Sequence, residues 1–298
     1  MRTEIEFSAD GTQLRGWLYV PDGGAGPFPT IILIQEFGMV KEQYLPRLAE
    51  LFAASGLASL VYDHRCFGAS DGLPRQDIDP IAQARDVRDA ISFLETRDEV
   101  DSTRIGLWGH SIAGGEALWV AAVDRRVKAV VAASPVISAF RNFRRGLPDG
   151  MFEALRIQLS AERTARASGA SPAMLKVTCA EPDPAEPHAF PDPRTYYYTH
   201  VAAPAERYRN ECTLRSLGFL LEFDATPCLP LISPTPLLMM VASTDTATPN
   251  DEQTAGFATA REPREFRMLP GDHYDAHLAD FEIASAAARD FYLARLGS

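Results

Sequence analysis

Cysteine is scarce in this chain. There are four in 298 residues, Cys66, Cys179, Cys212 and Cys228, far apart and without a Cys-x-x-Cys pair. That excludes a disulfide scaffold, and no histidine spacing near them suggests a zinc site. Free thiols, a reducing and hence cytoplasmic compartment, and no metal or other cofactor are the expectation. Cationic side chains are short as well: 29 Lys and Arg stand against 40 Asp and Glu, a net charge of −11. Nucleic-acid binding depends on clustered Lys and Arg that displace counterions from phosphates, so that class is excluded. No apolar stretch reaches the roughly 18 residues of a membrane helix. The first residues, Met-Arg-Thr-Glu-Ile-Glu-Phe, alternate like a strand and lack the apolar run of a secretion signal. What is present is 46% hydrophobic residues, ample for a buried core.

Residues 2–8 and 13–20 alternate around Asp10-Gly11, which predicts an opening β-hairpin. Short continuous apolar runs follow at 31–34 and 58–62, with a helical pattern over 44–54 between them, a βαβ unit with buried parallel strands. Helical spacing recurs over 80–97, then a strand at 105–108, a helix over 112–123 and a strand over 127–133. The expected fold is α/β, a mostly parallel central sheet flanked by helices. From about 137 to 232 the alternation stops, and Arg, aromatic residues and the Pro-rich run 181–187 take over. That is too long for a loop. Alternation resumes with a core strand at 236–241, a helix near 250–260, a strand at 265–269 and a last helix over 278–295. Residues 1–136 and 233–298 therefore read as one core domain, and 137–232 as an inserted, mostly helical cap.

The strand ending at Trp108 runs into Gly109-His-Ser-Ile-Ala-Gly-Gly115 and then a helix. Small residues around a serine at an abrupt strand-to-helix turn are the context of a nucleophile elbow, although Ala113 stands where the usual G-x-S-x-G pattern has glycine. A serine hydroxyl needs a base to take its proton and an acid to hold that base in one tautomer. Asp245 follows the core strand 236–241, and His273 lies in a Gly-containing loop beyond the next strand. Ser111, Asp245 and His273 are thus the candidate nucleophile, acid and base, in the order Ser, Asp, His and each at a strand's carboxyl end. A helix N-cap for Asp245 and a solvated loop position for His273 are the bland alternatives.

The run Tyr62-Asp-His-Arg-Cys-Phe-Gly-Ala-Ser-Asp-Gly72, the elbow, Ser233-Pro-Thr-Pro-Leu-Leu-Met239, the Asp245 and His273 loops, and Asn210-Glu-Cys-Thr-Leu-Arg-Ser-Leu217 within the cap carry a resemblance. They are similar to capped α/β-hydrolases of secondary metabolism, including polyketide-transferase-like proteins, over nearly the whole chain. The resemblance implies acyl chemistry on small, hydrophobic esters or thioesters, the acyl group free or carrier-bound, with transfer or carbon-carbon chemistry as variants. After the strand at Ile34, where relatives carry His-Gly, this chain has Gln35-Glu36-Phe37-Gly38, which resembles the Gln-Glu of dienelactone hydrolases. Those enzymes use a cysteine nucleophile, so their chemistry does not carry over whole to Ser111.

The backbone N–H groups of Phe37 and Ile112 are the candidate oxyanion-hole donors. A carboxylate beside them would oppose developing negative charge. Glu36 is therefore expected to turn away, to be neutralised by a partner such as Arg65, or to handle protons, with pairing to Arg65 preferred. Asp63 and Arg65 read as a turn-stabilising ion pair, Cys66 as a packed thiol, and Asp275 and His277 as loop and helix-start residues. His110, Phe140 and Tyr197 are candidates for the substrate pocket, although adjacent Tyr196, Tyr197 and Tyr198 cannot all face inward. The leading function is an esterase, thioesterase or acyltransferase working through an acyl-Ser111 intermediate. A carbon-carbon bond-forming or bond-cleaving enzyme with His273 as base, and a catalytically silent ligand-binding homologue, are the alternatives. The partner expected is a small-molecule substrate, with no membrane and no nucleic acid; a homodimer stays open.

Overall fold

The computed structural model describes residues 1–23, 26–181 and 188–297. Residues 182–187 of the Pro-rich run lie outside the described residues. Strands β1 (Arg2–Ala9) and β2 (Thr12–Tyr19) pair antiparallel with Ala9 opposite Thr12. Asp10 and Gly11 between them take φ of 46° and 77°. A two-residue turn whose twist suits a hairpin needs positive φ at both positions, hence this Asp-Gly pair. Then come β3 (Phe28–Leu33), α1 (Leu45–Ala54), β4 (Ala58–Tyr62), α2 (Pro80–Leu94), β5 (Val100–His110), α3 (Ile112–Val123) and β6 (Val127–Ala133). Helix α2 starts where the sequence supplies both devices: the Asp79 carboxylate caps the Ile81 and Ala82 N–H groups, and Pro80 occupies the first turn.

Between β6 and the next core strand lie α4 (Ala139–Gly146), α5 (Asp149–Ala167), β7 (Met174–Leu175), α6 (Pro193–Tyr196), a π-helical turn (Tyr197–Ala202), β8 (Cys212–Thr213), α7 (Leu214–Glu222) and a 3-10 turn (Thr226–Leu231). The chain closes with β9 (Leu237–Ala242), α8 (Asn250–Thr259), β10 (Arg264–Leu269) and α9 (Phe281–Leu296). The sheet order is β1-β2-β4-β3-β5-β6-β9-β10, and β4 through β10 pair parallel. This is the α/β architecture expected from the apolar runs. β5 is longer than the apolar stretch 105–108 indicates, because Val100 already pairs with Phe28 before the register shifts.

Two cores flank the sheet. On one face α2 and α3 bury Val87, Ile91, Leu118 and Val120 against Ile32, Leu107 and Val130. On the other α1 and α9 bury Leu48, Phe52, Ala288 and Tyr292 against Ile31, Leu33 and Val131. Each such fully buried large side chain contributes about 1.5–3 kcal/mol relative to exposure. A third cluster joins Leu175, Val177, Cys212 and Leu217 of the inserted segment to Cys66, Phe67 and Ile78 of the loop after β4. The insert therefore shares its core with the sheet domain's own loop, which fixes it over that end of the sheet. Among the described residues no helix is long and apolar enough to cross a membrane.

Candidate active site

β5 ends at His110 and α3 begins at Ile112, so a single residue, Ser111, turns the chain through φ 58° and ψ −126°. A non-glycine residue at positive φ is strained unless its surroundings hold it. Here the Ser111 N–H donates to the Ala133 carbonyl (3.0 Å) and its carbonyl accepts from Val136 N–H (2.9 Å). The turn also brings backbone onto backbone: a Cβ on Gly109 would lie 2.1 Å from the Ala113 carbonyl oxygen. Gly109 is thus required, whereas Ala113 fits fully buried in the core where the usual pattern has glycine.

Ser111 Oγ lies 3.0 Å from His273 Nε2, and His273 Nδ1 lies 3.0 Å from Asp245 Oδ2. Asp245 comes from the loop after β9 and His273 from the loop after β10, both at carboxyl ends of parallel strands. Thr248 holds the acid, donating its backbone N–H to Oδ1 and its hydroxyl to Oδ2, each at 2.8 Å. The Gln253 amide adds a bond to Oδ2 at 3.1 Å. Burial alone would raise the Asp245 carboxyl. The His273 charge and hydrogen bond, with those from Thr248, overcome it and hold the carboxyl down at about 2. An ionised carboxylate only accepts, so Nδ1 of His273 carries the proton and Nε2 presents a lone pair to the Ser111 hydroxyl.

A cavity of about 390 Å³ opens above Ser111 and His273. Its walls are mainly apolar, with Phe143, Val177, Phe190 and Leu220 prominent, and Tyr198 and Tyr274 close one side. Phe143, Val177, Phe190, Tyr198 and Leu220 belong to the segment between β6 and β9, which therefore roofs the site. Phe37 and Ile112 both line the cavity beside Ser111. Among the described residues neither backbone N–H donates to a protein acceptor. Ile112 is also the first residue of α3, where the helix dipole favours negative charge.

Glu36 behaves otherwise than expected. Arg65 does not reach it, because the guanidinium is held by Asp86, Nε to Oδ2 at 2.7 Å with a second, shorter contact between Nη2 and Oδ1. Asp63 is likewise taken by Lys41, 2.8 Å from its Nζ, and not by Arg65. Glu36 Oε1 instead lies 3.1 Å from His110 Nδ1 and 3.2 Å from His277 Nε2 and accepts the Tyr198 hydroxyl at 2.7 Å. Neither imidazole nitrogen aims its N–H along the line to Oε1, so these two are close ionic contacts and not aligned hydrogen bonds. Glu36, His110 and His277 are near enough together to hold a metal. Their contacts, however, converge on one carboxylate oxygen that already accepts Tyr198, leaving no open centre between ligands. Burial would raise the Glu36 carboxyl, and His110 and then His277 reverse this and hold it well below its ordinary range.

Three residues expected at the pocket wall stand elsewhere. His110 is fully buried beneath the elbow, Phe140 packs edge-on against Phe152 at the surface, and Tyr197 is 52% exposed. Of the three consecutive tyrosines only Tyr198 faces the cavity, and the π-helical turn decides which one does. Cys66 packs as a buried thiol, pushed up to about 11 chiefly by burial. His277, Thr248 and Gln253 were not singled out as site residues by the sequence, and Tyr198 stood only as one of three adjacent tyrosines that cannot all face inward. For Thr248 and Gln253 a signal was present, since both follow Asp245 within the first turns before and into α8.

A family model for the X-Pro dipeptidyl-peptidase (S15 family) matches residues 10–207. The chain is 34% identical over 288 residues to a thiohydrolase from Eupenicillium brefeldianum, covering 95% of this chain and 91% of that one. It is 31% identical over 292 residues to the polyketide transferase grgF from Penicillium sp, covering 97% and 95%. The crystal structure of the α/β hydrolase GrgF from Penicillium sp. sh18 matches with a TM-score of 0.85 and 27% identity over 100% of both chains.

Proposed function

Since the chain belongs to the S15 family of α/β-hydrolases and is a hydrolase or transferase of secondary metabolism, we propose that it cleaves or transfers the acyl group of a hydrophobic, polyketide-like ester or thioester through an acyl-Ser111 intermediate. The observation that carries this reading is the unbroken line Ser111 Oγ, His273, Asp245, with both steps at 3.0 Å, on the floor of an apolar cavity. Dipeptidyl-peptidase, thiohydrolase and transferase activities all act on an acyl carbonyl, and they differ in the leaving group and the acceptor.

In this reading Ser111 Oγ attacks the acyl carbonyl while His273 Nε2 takes its proton. Asp245 stabilises the imidazolium that forms, and the carbonyl oxygen, now negative, is received by the N–H groups of Phe37 and Ile112. Collapse of the tetrahedral species expels the thiolate or alkoxide, which receives the proton from His273 and leaves as thiol or alcohol. A second nucleophile, water for hydrolysis or an acceptor hydroxyl for transfer, then gives its proton to His273, attacks the acyl-serine and regenerates Ser111. The cavity supports a small acyl chain, since about 390 Å³ lies near the lower end of ligand pockets, roughly 300–1,000 Å³.

The test is an alkyl fluorophosphonate followed by intact mass spectrometry and peptide mapping. One adduct on Ser111, absent from Ser111→Ala, supports the reading. A folded protein that takes no adduct contradicts it.

A further inference from the structure

One buried carboxylate touches three other parts of this site. Glu36 sits on the loop after β3, one residue before Phe37, and its Oε1 meets His110 of the elbow, His277 of the loop before α9 and Tyr198 of the roof. His110 directly precedes Ser111, and its Nε2 lies 2.7 Å from the backbone carbonyl of His273. The His273 carbonyl takes the N–H of Nε2, and the Glu36 carboxylate 3.1 Å from Nδ1 favours positive charge on the ring. Held between the two, His110 carries a proton on each nitrogen.

We propose that Glu36 is a positioning residue: it keeps His110 an imidazolium, and this cation clamps the His273 backbone and so sets the base against Ser111. The inference rests on the serine mechanism proposed above and adds a third pair of residues to it. Burial by itself would drive the second proton off His110; the Glu36 charge outweighs it, with a smaller contribution from Asp245, and the imidazole stands raised. His277, facing the same oxygen, goes the other way: burial lowers it despite Glu36, and the His110 charge lowers it further. His273 faces His110 ring to ring at 4.8 Å. Around Glu36 the phenols of Tyr198, Tyr44 and Tyr274 are all raised, first by burial, and stay neutral. The clamp therefore rests on one cation and one anion.

The pair also resolves the conflict between Glu36 and the oxyanion. With His110 protonated 3.1 Å away, the carboxylate is compensated and does not oppose negative charge at the adjacent Phe37 and Ile112 amides. Because Tyr198 bonds the same oxygen and belongs to the roof, the roof and the base are both anchored at one atom.

The test compares rates of Ser111 phosphonylation by a fluorophosphonate, wild type against Glu36→Gln, between about pH 5.5 and 8.5, a readout that follows the base's protonation and needs no known substrate. Without its anion the buried His110 gives up a proton within this range. The ratio of variant to wild-type rate should then fall as pH rises, on the order of tenfold, because a charge-assisted hydrogen bond to the His273 carbonyl is replaced by a neutral one of roughly half the strength. A ratio constant with pH, whether near one or uniformly low, overturns the proposal, since a packing role alone would not titrate. Wild-type protein that takes no label removes the serine mechanism instead, and the clamp's charge is then read separately. That reading is the 15N NMR spectrum of the wild-type imidazoles, assigned with His110→Gln, and it also serves if Glu36→Gln does not fold. Two protonated nitrogens on His110 at about pH 8 support the proposal, and a neutral ring overturns it.

Discussion

Asp245→Asn is the substitution whose outcome the site geometry dictates most sharply. Asp245 takes the Thr248 N–H on Oδ1 and the Thr248 hydroxyl, the Gln253 amide and His273 Nδ1 on Oδ2. An asparagine fits the same space. To keep the Thr248 N–H bond its oxygen must occupy the Oδ1 position, which turns its amide NH₂ toward His273 Nδ1. That ring then holds its proton on Nε2, facing Ser111 with no lone pair to receive the hydroxyl proton. A loss of about 10⁴ in turnover near pH 7.5 follows, the scale seen when a triad histidine is forced into the wrong tautomer. Stability reports the same residue independently. The Asp245 carboxyl is brought from its ordinary 3.8 to about 2, the upward push of burial being overcome by His273 and Thr248. Its folded-state pKa is depressed, so the native state binds fewer protons than the unfolded chain between those values, and stability rises with pH there. At 1.36 kcal/mol per pH unit this is worth about 2 kcal/mol, complete above roughly pH 4 and lost as pH falls through about 2. Urea midpoints should therefore drop less for Asp245→Asn than for wild type between about pH 4.5 and 2.5. A variant within tenfold of wild-type turnover, or one whose midpoints track wild type over that window, refutes the reasoning.

Ser111→Ala should abolish turnover of any ester or thioester, a loss on the order of 10⁴ or more, with the circular-dichroism spectrum unchanged; near-normal turnover removes covalent catalysis. Glu116, fully buried in α3 with neither carboxylate oxygen hydrogen-bonded, has its pKa raised well above 4.5, chiefly by burial. Its folded-state pKa lies above its unfolded value, so stability is greatest at acid pH and declines as pH climbs above the unfolded value. Glu116→Gln should then raise the melting temperature at about pH 8 by at least about 2 °C and change it little near pH 4, and equal effects at both would contradict this. Leu220→Trp fills a wall of the cavity, so KM for a thioester whose acyl chain fills the cavity should rise on the order of tenfold while that for an acetyl ester stays put. Equal effects on both substrates would place the acyl chain elsewhere.

Much of this was legible in the sequence because the local signals agreed with the global fold. Apolar runs at β3, β4, β6 and β9 are continuous since parallel strands are covered on both faces, and the Asp10-Gly11 turn and the Asp79-Pro80 helix start are chemically explicit. Ser111, Asp245 and His273 stood out because each lies at a strand end, where chain order translates directly into proximity. The partner of Glu36 did not. Glu36 and Arg65 follow neighbouring strands, which made their pairing reasonable, yet Asp86 of α2, buried on the sheet's other side of the loop, captures the guanidinium. His277 looked like a helix start because nothing local distinguishes a loop histidine from one lying against a carboxylate 241 positions earlier. In the inserted segment the apolar pattern is irregular, since its core is completed by Cys66, Phe67 and Ile78 from outside it.

The acyl-serine itself is the central claim. Mixing the enzyme with a hydrophobic acyl thioester, quenching in acid within the first turnovers and taking the intact mass should reveal a protein heavier by one acyl group, mapped to Ser111, which disappears as free acid or transferred product accumulates. A folded, active enzyme that turns over the thioester with no adduct at any quench time, and whose Ser111→Ala variant does the same, would contradict the account.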